Sequence, residues 1–462
     1  MKKIILLLLL CIHLSDVHAQ QNEKDSLKHL LQIEKADTGR VLILAELSFL
    51  YSESKPDTTM LMALEALTLA RKIGFIKGEA ESLNRIGNAY HTWGNYTKAM
   101  EIWLQSLKLN EKVNNLLGIQ RNYNNIGSVN NFMGEYKAAH DYYQKARAIS
   151  EKTGNKRSLS IQLGNIGENY YQQQIYDSAR IYAEQAFNVA SGIHYWRIMG
   201  TALSYRGDIH FELKQHTLAL EYYRLAIPYL LEASNFIRLS TTYLGMAKVF
   251  EETGQSDSAL HCARQSMSIA RINPFSVQVR NTARFLSLFY RRKQLHDSAY
   301  FYQDVSKTVN DSLFGQQKNN QFQSLALDEK LRQADLEAAE LKTKEERNHN
   351  LQYVAIAIGL ISFIIFFFAL SRSIIVKPKF IAFFTVLGLL AVFEFINLFI
   401  HPYLAGLTNN SPVLMLIILI TIGALLIPLH HKLEKWITGI MIEKNKKIRL
   451  EAAKKTIEML ER

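Results

Sequence analysis

This sequence is most easily bounded by what is missing from it. Only two of its 462 residues are cysteine, Cys11 and Cys262, and Cys11 lies in a leader expected to be removed. One thiol is left, which excludes a disulfide framework. There is no G-x-x-x-x-G-K-[ST] to cradle phosphate, no H-E-x-x-H to hold zinc, no G-x-S-x-G elbow and no C-x-x-C. Nucleotide, metal and nucleophile chemistry therefore have no support, and the chain is expected to be non-enzymatic and to carry no cofactor or metal. The formal charge of +12 collects beside the apolar segments near the C-terminus, so it does not point to nucleic acid.

Between residues 47 and 306 there is also no insertion or deletion to break a 40-residue period. Gly87, Gly127, Gly167 and Gly207 share one column, which continues as Ala247 and Ser287. A second column reads Ala99, Ala139, Ala179, Ala219, Ala259 and Ala299, and a third Ser106, Ala146, Ala186, Ala226, Ser266 and Ser306. A fixed period in the 20–50 range marks a solenoid. Apolar and small residues recur at three, four and seven, so each unit holds two amphipathic helices. Gly94-Asn95, Gly134-Glu135 and Gly254-Gln255 suit the left-handed end of the first helix. Asp177-Ser178, Asp257-Ser258 and Asp297-Ser298 are expected to cap the second. Between units fall Gly74, Asn114, Gly154, Ser234 and Pro274. The small columns let helices approach closely, and the aromatic stripe beside them (Tyr90, Tyr170, Phe250, Tyr290; Trp103, Tyr143, Tyr223) is expected to be core.

Leu83, Ile86, Gly87 and Tyr90, followed by Ala99, Trp103 and Ser106, resemble the signature of the tetratricopeptide repeat. The resemblance runs from about Leu47 to Ser306 with helices longer than usual, and weakens in the first and last units as capping repeats do. It implies an all-α superhelical solenoid whose first helices line a concave groove for protein or peptide partners. Facing positions carry Asn84, Asn88 and His91, then Arg121, Asn124, Ser128 and Asn131, then Asn165 and Glu168. Asn offers a donor and an acceptor, so such a ladder can pair a peptide backbone without demanding a sequence, and Arg121 can take a carboxylate. A merely solvated polar face is the competing explanation.

The ends give further expectations. Lys2, Lys3, the apolar run Ile4–Ile12 and Val17-His18-Ala19 make residues 1–19 a secretory signal. Residues 20–39 lead into the solenoid at 40–309. Residues 310–350 form a charged helical stalk with no Gly after Gly315. Its heptad-like Leu327, Leu331, Ala334, Ala338 and Leu341 suit either a solitary helix or a homodimeric coiled coil. Within 351–430, apolar runs at about 354–370, 380–400 and 413–429 are each near the ~20 residues that cross a bilayer. Basic residues flank the inner ends, which predicts an inner-membrane protein with exported repeats and a cytoplasmic helical tail at 431–462. Glu394 and Asn397 fall inside the second run as intramembrane polar candidates, read more readily as a buried hydrogen bond than as an ion site. This order of parts also resembles the sensory half of bacterial histidine kinases with tetratricopeptide repeats, without the phosphoacceptor and ATP-binding boxes. Three functions follow as expectations: a scaffold that binds protein partners, a kinase-less receptor relaying groove occupancy through the stalk, and a small transporter resting on Glu394.

Overall fold

A computed structural model of the chain describes residues 24–51, 56–273, 275–373 and 412–460, with short helical stretches between 383 and 400. Among these residues there is helix and no strand. The chain divides into two compact units, Met1–Ala338 and Ala339–Arg462.

The first unit is the solenoid. A short α1 (24–33) precedes α2 (Asp37–Tyr51) and α3 (Pro56–Lys72). Then come α4 (Ile76–Thr92), α5 (Tyr96–Lys112), α6 (Leu116–Phe132), α7 (Tyr136–Lys152), α8 (Lys156–Gln172) and α9 (Tyr176–Ser191). The array continues with α10 (Trp196–Glu212), α11 (His216–Glu232), α12 (Phe236–Glu252), α13 (Ser256–Ile272), α14 (Ser276–Arg292) and the start of α15 (His296–Ser373). Each helix packs on the next, and even-numbered helices also touch the even-numbered helix two along, as α8 touches α10. The even-numbered, first helices of the repeats therefore form one continuous layer.

The turns work as the sequence implies. Gly94 sits at φ 79°, Asn95 N–H bonds the Tyr90 carbonyl at 2.9 Å, and Gly94 N–H bonds the His91 carbonyl at 2.9 Å. That is the paired bonding of a Schellman end, which satisfies the carbonyls the helix leaves open. Asn114, Gln174, Lys214 and Ser234 hold the same left-handed conformation without being glycine. The caps differ from expectation. α9 and α13 begin at Tyr176 and Ser256, so Asp177 and Asp257 lie inside the first turn, where their charge favours the helix dipole instead. The side-chain caps are Asn95, Asn155 and Asn235, which accept from the backbone N–H of Lys98, Ser158 and Arg238. The left-handed residue dictates where the next helix starts, and it starts earlier than the Asp-Ser pairs suggest.

The glycine column faces the aromatic column. A Cβ on Gly87 would fall 2.4 Å from the Trp103 ring, on Gly127 2.8 Å from Tyr143, and on Gly207 2.5 Å from Tyr223. Trp103, Tyr143 and Tyr223 are buried, so the stripe is core as expected. In the unit between, Ala183 stands in the aromatic column opposite Gly167. There the nearest atom to an added Cβ is the Ala183 backbone nitrogen, at 3.3 Å. Cys262 is buried in the last core cluster, and burial pushes its thiol up to about 11.

The stalk seam has a partner within the chain. Leu331, expected at a coiled-coil seam, is 5% exposed and packs into the cluster of Met60, Leu64 and Leu67 from α3 with Leu83, Ile86 and Tyr90 from α4. One turn either side, Asp328 accepts from Tyr90 and Asp335 pairs with Arg71.

The second unit holds the remainder of α15 and α16 (Pro412–Leu460). Among the described residues no helix is long and apolar enough to cross a membrane. The expected three spans are corrected accordingly, and with them the inner-membrane placement of exported repeats and a cytoplasmic tail. The runs at 354–370 and 413–429 fall short of the ~20 residues a span needs, and each merges into polar helix without a break. The 380–400 run lies partly outside the described residues, as do Asn397 and the whole 1–19 leader. Glu394 is exposed.

Candidate functional site

The Asn residues on the first helices bond one another, in rungs that join neighbouring units. Asn84 is buried, and its amide donates to Asn122 at 2.6 Å, which in turn donates to Ser106 at 2.9 Å. Asn88 accepts from Asn125 at 3.2 Å, Asn124 accepts from Asn165 at 2.9 Å, and Asn131 accepts from Asn169 at 2.8 Å. Arg121 takes a carboxylate from inside the chain: its two Nη atoms reach Glu81 at 2.7 and 2.8 Å. Ser128 lies beside the Tyr143 phenol. His91 lies edge-on to Tyr96 at 5.5 Å between centroids and near Trp103, and burial lowers its pKa. Asn88, Asn124, Ser128, Asn131 and Asn165 are half-exposed and retain amide or hydroxyl capacity beyond the bond each already makes, whereas Asn84, Asn122 and Asn169 are buried.

Asn165 and Glu168 meet in a cleft of about 90 Å³ between α8 and α10. Its origin is the small pair in the repeat: Gly167 and Ala183 both line it, where the units of Gly87, Gly127 and Gly207 carry an aromatic ring against the glycine. Gly164 lines it too, and a Cβ there would meet nothing within 4 Å. Ile161, Ile198, Tyr171 and Tyr205 form apolar and aromatic walls, with the Glu168 carboxylate at the polar end.

Behind the Tyr205 wall lies a charged network. The Arg238 guanidinium stacks on the Tyr205 ring at 3.9 Å, donates to Ser204 at 2.8 Å and pairs with Asp208. Tyr223 donates to the other Asp208 oxygen at 2.7 Å. Burial opposes the charge on Arg238, yet Asp208, Tyr205 and Glu168 outweigh it and raise its pKa. Burial, reinforced by Glu168, likewise raises Tyr205, so the phenol stays protonated beside the Glu168 carboxylate. With two carboxylates against one guanidinium, the surroundings favour a cationic group.

Sequence reasoning singled out Asn165 and Glu168 but missed Tyr205, Asp208 and Arg238. The available signal was Ala183, the first break in the aromatic column of Trp103 and Tyr143.

Fold and cleft define a helical-repeat protein with a recess between two of its first helices. A tetratricopeptide-repeat family model matches residues 78–152 and 118–192, so the chain carries tetratricopeptide repeats. Among solved structures, the apo form of RapI is 12% identical and is matched over 60% of this chain and 99% of that one, with a TM-score of 0.49. Aspartyl phosphate phosphatase F from Bacillus subtilis is 16% identical over 60% of this chain and 72% of that one, at a TM-score of 0.48. A Rap protein complexed with competence and sporulation factor is 14% identical over 63% and 80%, at 0.49. At these TM-scores none of the three carries an inference about this chain. No curated protein matches the sequence.

Proposed function

We propose that the chain is a scaffold that binds protein or peptide segments along its first helices, with one basic side chain of the segment inserted between α8 and α10. The observation that carries this reading is the gap left by Gly167 opposite Ala183. A Lys or Arg stem would lie between Ile198 and the tyrosines while its charge meets Glu168, as amphipathic side chains prefer. The spare amide capacity of Asn88, Asn124, Asn131 and Asn165 suits the backbone of such a segment.

The test is selection of a random peptide library on the full chain, followed by affinity measurement with two variants. Ala183→Tyr restores the ring found in other units and closes the gap, and binding should be lost while the fold is kept. Glu168→Gln should weaken basic peptides by about tenfold. Unchanged affinity in Ala183→Tyr, with circular dichroism intact, sinks the reading.

A second reading, relay of groove occupancy through the stalk, is favoured by the bonds of Asp328 and Asp335 to α4 and α3. It requires that a bound peptide change amide exchange at residues 324–338. Identical exchange with and without peptide would exclude it.

A further inference from the structure

The end of the repeat array carries a second, chemically opposite cleft. In each earlier unit, the outer face of the second helix receives the first helix of the next. Ser106 accepts from Asn122 of α6 at 2.9 Å, and Ser266 bonds Thr282 of α14 at 2.9 Å. Those receiving faces are apolar or small. On the second helices Leu107, Phe187, Ile227 and Met267 share a column, with Arg147 the exception; on the first helices Ala80, Gln120, Ser160, Gly200 and Ser240 share a buried one that is small apart from Gln120. In the last unit the same two columns hold Lys307 and Arg280. After His296, α15 runs on to Ser373 without the turn that would bring back another first helix.

What remains is a cleft of about 780 Å³ between α14 and α15, lined by Arg280, Arg284, Arg291 and Lys307 with Asn and Ser residues. No acidic residue lines it. Among the described residues none of the four cations forms an ion pair, and Arg280 only reaches the amide oxygens of Asn310 and Asn281 at 3.4 Å. Asp304 and Asp311 share α15 with Lys307 but do not line the cleft. An ordinary capping face mixes charges of both signs, because concentrated like charge costs stability through repulsion. Arg280, Arg284 and Arg291 stand on α14 at offsets of four and seven, so their Cα atoms span roughly 16 Å along the axis at ~1.5 Å per residue. That reach exceeds a single phosphate and suits a run of carboxylates.

We infer that this open end docks an acidic peptide segment of a partner protein, lying along α14 in the place a further first helix would take. The carboxylates pair with the arginine forks, whose planar geometry fits them two-pronged. This site is independent of the α8–α10 cleft, and either can fail without the other.

Fluorescence anisotropy of labelled deca-glutamate with the full chain tests it, with deca-lysine and inorganic phosphate as controls. Expected are saturable binding of deca-glutamate that weakens with salt, no competition by millimolar-scale phosphate, and, for the deca-lysine that the α8–α10 cleft would take, an affinity that Arg284→Gln/Arg291→Gln leaves unchanged. The double variant Arg284→Gln/Arg291→Gln, checked for folding by circular dichroism, should weaken binding by about tenfold or more. Charge reversal, Arg284→Glu/Arg291→Glu, should abolish it. No saturable deca-glutamate binding, or equal affinity in the Gln variant, overturns the inference; displacement by phosphate overturns the peptide assignment in favour of a simple anion site.

Discussion

The Tyr90 phenol on α4 donates to Oδ1 of Asp328 on α15 at 2.5 Å, across 238 residues of sequence. Burial, with Asp328 adding to it, raises the Tyr90 pKa, so the donor proton stays in place. One helical turn on, Leu331 is buried in the core of the first repeats. The contact fastens the far end of the repeat array to its start.

Leu331→Ala should therefore destabilise the repeats by about 2–5 kcal/mol, as truncation of a buried Leu does. Urea unfolding followed by circular dichroism measures it. The neighbouring exposed Leu336→Ala should be nearly silent. Equal effects would mean that Leu331 is not packed on α3 and α4.

Alanine in the glycine column should discriminate between units. Gly87→Ala forces a methyl into the Trp103 ring and should cost about 1–3 kcal/mol. Gly167→Ala meets only contacts at 3.3 Å and beyond, and alanine's better helix propensity offsets them, so its effect should be near zero. Thermal melts of the two variants check the ordering.

The amide rungs should differ by burial. Asn122 is fully buried between Asn84 and Ser106; Ser106 keeps its bond to the Ala80 carbonyl, but Asn122→Ala orphans the buried Asn84 amide and should cost about 1–3 kcal/mol. Asn124 is half-exposed, and Asn124→Ala leaves Asn165 within reach of water, with an expected cost below about 1 kcal/mol. Denaturant midpoints would show the difference.

His91 should make stability sensitive to acid. Burial holds its folded pKa below the ordinary value, so the unfolded chain binds the proton more readily. Its contribution is fully present above about pH 6.5 and is lost as pH falls below that value toward the folded pKa. Denaturant midpoints from pH 8 to pH 5 should drop less steeply in His91→Gln. Parallel curves for the two proteins would remove His91 as a cause.

Much of the solenoid could be read from columns alone. The period located the helices, the glycines their ends, and the aromatic stripe their core. What escaped depended on which column faces which. Gly167 looked ordinary in its own column, Ala183 broke the aromatic one without saying what it faced, and only their juxtaposition reveals the gap. The Asn residues were read as facing a ligand, but pairs such as Asn84 and Asn122 or Asn124 and Asn165 also face each other across units. The heptad in α15 showed that one face wanted cover without saying that α3 and α4 supply it. Asp177-Ser178 had the chemistry of a cap, yet the left-handed Gln174 starts the helix before them. Hydropathy alone misjudged the C-terminal runs, because it took no account of the long polar helices into which they continue.

The missing ring at position 183 has a consequence for how such arrays change. Units of a solenoid interact chiefly with their neighbours, so a void made by one side chain is local. A single exchange in that column closes the cavity or opens another one register away, while the backbone path is untouched. The position of such a gap is thus an address, and one residue per unit is enough to rewrite it.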